Sequence, residues 1–145
     1  MKTKYHGEIN ETDFPALTFE EGIPGFPAEK DFVLVPLDQQ SPFTVMQSKK
    51  EPELAFIIVN PFDFYPDYEI QLSDTTIAKL GIEQESDVMI FSILTVQNPF
   101  KNTTANLQAP VVLNKKNKKA RQIILNQSEY STKHLITSPL VKEKR

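Results

Sequence analysis

The chain of 145 residues contains no cysteine, which excludes disulfides, zinc–thiolate sites, iron–sulfur clusters and thiol nucleophiles together. It has two histidines, His6 and His134, near opposite ends and without a second histidine at metal-ligand spacing. Four glycines supply neither a Gly-x-Ser-x-Gly nucleophile elbow nor a phosphate-cradling loop. Gly22-Ile23-Pro24-Gly25 comes nearest to such a loop, yet proline stands where a backbone donor is needed. That segment reads as a rigid turn, Pro24 second and Gly25 third, where a positive φ is required. No apolar run approaches the ~20 residues of a membrane helix. No apolar stretch follows Lys2 and Lys4, so no secretory signal is expected and the Asn-x-Ser/Thr triplets at Asn10, Asn102 and Asn126 carry no glycosylation expectation. These absences point to a cytoplasmic protein with no metal or cofactor, not an enzyme.

What is present is β-rich. Eleven prolines and ten phenylalanines punctuate short runs of β-branched and aromatic residues. Strands are expected at 5–9, 16–19, 32–37, 43–47, 54–60, 68–72, 88–96, 111–114 and 122–125. The runs Leu54–Val59 and Val88–Leu94 lack the alternation of a strand with one wet face, so both faces should be covered. The fold class is therefore all-β: a single-domain, antiparallel, barrel-like fold over residues 1–126, with a polar and mobile tail over 127–145. One short helix is expected over Ser73–Leu80, with Ser73 as its cap, Asp74 in its first turn and Gly81 as its left-handed terminator. Asn-Pro-Phe recurs after two of the buried runs, at Asn60 and Asn98, as a device that stops a strand.

Charge is unevenly placed. Residues 1–100 hold 17 acids against 6 bases, a net of −11, while residues 101–145 hold 2 against 10, a net of +8. Carboxylate pairs such as Glu20-Glu21, Glu51/Glu53 and Asp63/Asp67 read as a charged surface rather than as acid–base catalysts. The run Lys115, Lys116, Lys118 and Lys119 looks like a hairpin loop. Three readings stay open for it: a solvated edge, a protein contact, or a phosphate contact that would make the chain an RNA-binding module. No aromatic is interleaved there to stack bases, and the acidic body opposes a polyanion, so direct nucleic-acid binding is not expected. The segment Phe62-Asp63-Phe64-Tyr65-Pro66-Asp67-Tyr68 puts four rings among two carboxylates after a buried strand. Its rings either pack into the core or anchor a basic protein partner.

Four motifs, in order, resemble the FliW family of flagellar assembly factors. They are Phe19-Glu20-Glu21-Gly22-Ile23-Pro24-Gly25-Phe26, Phe56-Ile57-Ile58-Val59-Asn60-Pro61-Phe62, Phe91-Ser92-Ile93-Leu94-Thr95-Val96 and Thr103-Thr104-Ala105-Asn106-Leu107-Gln108-Ala109-Pro110-Val111. The resemblance implies a non-enzymatic β-barrel-like regulator, monomeric when free. It implies binding to the translational repressor CsrA, lifting repression of flagellin message, and competing binding to flagellin itself. No residue roles are carried over by it.

Overall fold

A computed structural model of the chain describes residues 1–126 and 129–136. Nine antiparallel strands form one sheet: β1 Ala16–Thr18, β2 Asp31–Pro36, β3 Thr44–Ser48, β4 Ala55–Val59, β5 Val88–Thr95, β6 Thr104–Ala105, β7 Val111–Asn114, β8 Ala120–Gln122 and β9 His134–Leu135. The spatial order is β1-β2-β3-β4-β5-β6-β9, with β7 also on β5 and β8 on β7. The long β5 makes this branching possible, pairing its first half with β7 and its last two residues with β6. The sheet does not close. Its ends β1 and β8 touch at one isolated bridge, where Thr18 N–H donates to Lys118 O at 2.8 Å. The all-β, antiparallel fold expected is thus present, with its sheet open rather than closed into a barrel.

Both faces of the central strands pack into apolar clusters, in line with their lack of alternation, while Met89 in the first half of β5 stays exposed. Phe56 and Ile58 of β4, with Phe91 and Ile93 of β5, enter one apolar cluster around Phe19, Phe32 and Met46. Ile57 and Val59, with Ile90 and Leu94, enter a second around Tyr68, Leu107 and Ile136. Successive side chains of a strand point to opposite faces, so one sheet can serve two cores only if something covers each face.

Helix α1, Asp74–Leu80, forms as its end signals require: Ser73 Oγ accepts from Thr76 N–H, and Gly81 sits at φ 64°. Its unpaired end carbonyls gain partners from far away. The Asn114 and Asn117 side-chain amides both donate to Leu80 O, at 2.8 and 2.9 Å. The 23–26 turn is also as expected, closed by Phe26 N–H to Ile23 O at 2.7 Å with Gly25 at φ 89°.

Several expected strands are absent. Residues 5–9 contain Gly7 at φ 64° and reverse the chain, leaving one bridge between Lys2 and Glu8. Residues 68–72 alternate in burial yet run along the surface without a ladder partner. The expected strand at 122–125 is replaced by β8, which ends at Gln122; Ile123 and Leu125 N–H donate instead to Pro110 O and Gln108 O. Beyond residue 126, β9 pairs with β6 and Ile136 is buried. Gln127, Ser128 and residues 137–145, also assigned to the tail, lie outside the described residues.

Candidate functional site

The aromatic segment begins where β4 is forced to stop. Asn60 Oδ1 accepts from Phe62 N–H at 2.9 Å, and Pro61 opens a single 3-10 turn that sends the chain back across the sheet face. This return divides the segment. Tyr68 is buried, its hydroxyl donating to Leu107 O at 2.6 Å, and Phe64 and Tyr65 pack against the second cluster. The Tyr65 hydroxyl donates to Leu135 O, pinning β9. Phe62, Asp63 and Asp67 stay exposed, with Phe62 resting on Tyr68 at a ring distance of 5.6 Å. Core packing and surface presentation, alternatives in the sequence, are therefore shared between neighbouring residues.

A second layer backs these rings. Tyr130 meets Tyr68 edge to face at 4.7 Å and accepts from Glu69 N–H at 2.9 Å. His134 lies edge-on to Tyr65 at 5.6 Å, and its Nε2 accepts from Ser131 N–H at 2.8 Å. That bond requires an unprotonated Nε2, in keeping with burial, which lowers the His134 pKa from 6.5. Burial likewise raises Tyr65 above 10.

Between this layer and α1 the surface opens into a broad groove of about 1620 Å³. Its walls are residues 69–72, the loop after α1 and residues 124–126, and its floor is the first half of β5 with Phe62 and Tyr68. The volume exceeds the ~300–1,000 Å³ of typical small-molecule sites and suits a stretch of polypeptide. Apolar atoms of Phe62, Ile82, Ile90 and Ile124 line it, and Ile124 is 61% exposed. Glu69, Glu83, Glu85 and Glu129 also line it, and among the described residues no lysine, arginine or histidine does. Among the described residues none of the four glutamates has an ion pair. The groove mixes apolar and polar surface and carries an acidic rim.

The sequence singled out only Phe62 and Tyr68 of this site. Its walls converge from separate segments, and the run signalled by Glu83, Glu85 and Ile82 carries no local pattern that distinguishes a rim from any acidic loop.

The basic hairpin does not line the groove, but it meets Asp87 between the groove residues Glu85 and Val88, and it serves the body's own charges. Lys116 Nζ is 3.6 Å from Asp87 Oδ2 and Lys119 Nζ is 3.5 Å from Glu20 Oε1. Beside them, Lys79 Nζ meets Glu21 Oε2 at 2.6 Å and holds the Glu21 carboxyl below its usual pKa. Lys115 and Lys118 have no ion pair among the described residues. Lys118 holds φ 63°, a conformation set by the hairpin turn, where its N–H donates to Asn114 O. No group of three or more metal-ligating side chains occurs among the described residues, and no helix there is long and apolar enough to cross a membrane.

The sequence model of the FliW protein family matches residues 1–136. The chain belongs to the FliW family. It is similar to the flagellar assembly factor FliW of Bacillus velezensis, at 49% identity over 94% of this chain and 95% of that one. Similarity to the FliW of Bacillus subtilis is 47% over the same shares, and to that of Anoxybacillus flavithermus 45% over 99% of each. A crystal structure of a flagellar assembly factor FliW superposes with a TM-score of 0.86 at 47% identity, covering 94% of this chain and 95% of that one.

Proposed function

We propose that this cytoplasmic protein acts in flagellar assembly by binding other proteins, without catalysis, and that its partners are the translational repressor CsrA and flagellin. In this reading CsrA held by the chain cannot silence flagellin message, and flagellin that accumulates unexported competes for the chain and releases CsrA. The observation that carries the proposal is the acidic, apolar-floored groove. A protein that binds RNA presents cations, and a rim of four unpaired glutamates draws such a surface in while the apolar floor supplies the short-range attraction. The net −11 of residues 1–100 also repels RNA phosphates from a bound repressor, so inhibition does not require the RNA site to be covered. Phe62, Asp63 and Asp67, exposed at the groove's end, extend the same contact, whereas Phe64, Tyr65 and Tyr68 hold it in place from beneath.

Association kinetics with purified CsrA test this. The association rate should fall steeply between low and physiological salt, and the combined variant Glu69→Gln, Glu83→Gln, Glu85→Gln should lower it about tenfold at low salt while leaving circular dichroism unchanged. A rate independent of both salt and these substitutions overturns the assignment of the groove.

A further inference from the structure

Residues 68–72, ahead of α1, contain no turn or bend and alternate in burial, with Glu69 and Gln71 exposed and Ile70 and Leu72 half-buried. Alternation of this kind belongs to a strand, yet these residues join no sheet. Their main chain is correspondingly idle. Among the described residues the Glu69 N–H donates to the Tyr130 hydroxyl at 2.9 Å, while the N–H and C=O groups of Ile70, Gln71 and Leu72 make no hydrogen bond. Successive N–H groups of an extended chain point to opposite edges, so Gln71 shares the Tyr130 edge and Ile70 and Leu72 turn to the other. Residues 69–72 all line the groove, where Glu69, Glu83, Glu85 and Glu129 meet Ile82, Ile90 and Ile124. An open strand edge beside a groove is a template for an added strand.

We propose that Ile70 and Leu72 receive an extended segment of a basic protein partner as one more strand. The inference rests on the reading of the groove as a docking surface and adds how the partner is held. The N–H and C=O of both residues bond the added backbone, which supplies affinity whatever its sequence. Side chains supply the selection. On the face shared with Glu69 the added residues are lysine or arginine, drawn by the acidic rim, and on the face shared with Ile70 and Leu72 they are apolar. The segment therefore alternates cationic and apolar residues and carries no proline where its N–H must donate.

Hydrogen exchange and ¹H–¹⁵N spectra of the full chain, titrated with the peptide acetyl-Lys-Val-Lys-Val-Lys-Val-amide, test this. The Ile70 and Leu72 amides should exchange about tenfold more slowly at saturation, with the Gln71 rate unchanged. Methylating the peptide's backbone nitrogens at its valines, or instead at its lysines, should separate its two edges: one set weakens binding about tenfold and the other leaves it within about twofold. Movement of the Glu83 and Glu85 amides without slowing at Ile70 and Leu72, or equal losses from the two methylated sets, overturns strand addition and leaves the groove a docking surface of another kind. A peptide that moves none of these amides overturns it as well. Slowing that appears with rising protein concentration alone also overturns it, because it places a second copy there. The association rate with CsrA reads the docking surface separately: a salt-independent rate beside slowed Ile70 and Leu72 exchange sinks the CsrA assignment and upholds the added strand.

Discussion

Gly22 and Gly25 share a turn and a positive φ, yet a methyl group would meet different surroundings at each. At Gly22, φ 73°, an added Cβ would stand 2.4 Å from the backbone oxygen of Pro27, which cannot swing aside as a side-chain tip could. At Gly25, φ 89°, it would meet nothing within 4 Å. Gly25→Ala should therefore cost only the conformational strain, on the order of 1–2 kcal/mol. Gly22→Ala adds a backbone displacement and should cost about 3 kcal/mol or more, seen as a lower urea midpoint. Tyr68 makes a different kind of prediction. Burial, reinforced by Tyr130, pushes its phenol well above the ordinary 10. The unfolded chain ionises this group near pH 10 and the folded chain does not. Its contribution to stability is thus complete below pH 10 and is lost progressively as pH climbs beyond. Tyr68→Phe should lower stability below pH 10 by about 1–2 kcal/mol, because Leu107 O loses its donor. It should also flatten the alkaline fall in urea midpoint, leaving the slope due to Tyr65.

At the scale of elements, α1 and the β7–β8 hairpin behave as one unit. Asn114 is 1% exposed and spends its side chain on Leu80 O and Gly81 O, while Asn117 reaches the same Leu80 oxygen. Asn114→Ala should cost about 2 kcal/mol through buried carbonyls left without a donor, and Asn117→Ala about 1 kcal/mol. Loss of protection in α1 by hydrogen exchange would tie the cost to the helix. The helix itself was legible in the sequence because Ser73, Asp74 and Gly81 act within a few residues of the bonds they make. The buried strands β4 and β5 were legible for a related reason: an unbroken apolar run reports that both faces are covered. What covers them was not. Strands β6 and β9, two residues each, are too short to imprint a pattern and exist because Ala105 and His134 meet across a long separation. Residues 68–72 carried strand chemistry without a partner, and only the fold decides that Tyr68 turns in while Phe62 turns out. The glutamate rim was invisible for the same reason, since Glu69, Glu83 and Glu129 become neighbours only through tertiary structure.

Across the whole molecule, part of the charge asymmetry along the chain is spent within it. Among the described residues Lys116 and Lys119 of the hairpin answer Asp87 and Glu20, and nearby Lys79 answers Glu21, so the hairpin is already partly engaged with the acidic body. The groove is where negative charge is left over, and it also exposes apolar surface. Its lining includes Val88 and Ile90 of β5, and its walls come from segments more than fifty residues apart in sequence, 69–72 and 124–126 with Glu129 and Tyr130. An unfolded chain has no such trough, so any partner that selects it discriminates between finished and unfinished copies of this protein. Occupancy of the trough then stabilises the fold that created it, raising the melting temperature with partner concentration. The packing of Tyr68, Tyr130 and His134 beneath the wall thereby becomes a condition of any binding in the trough.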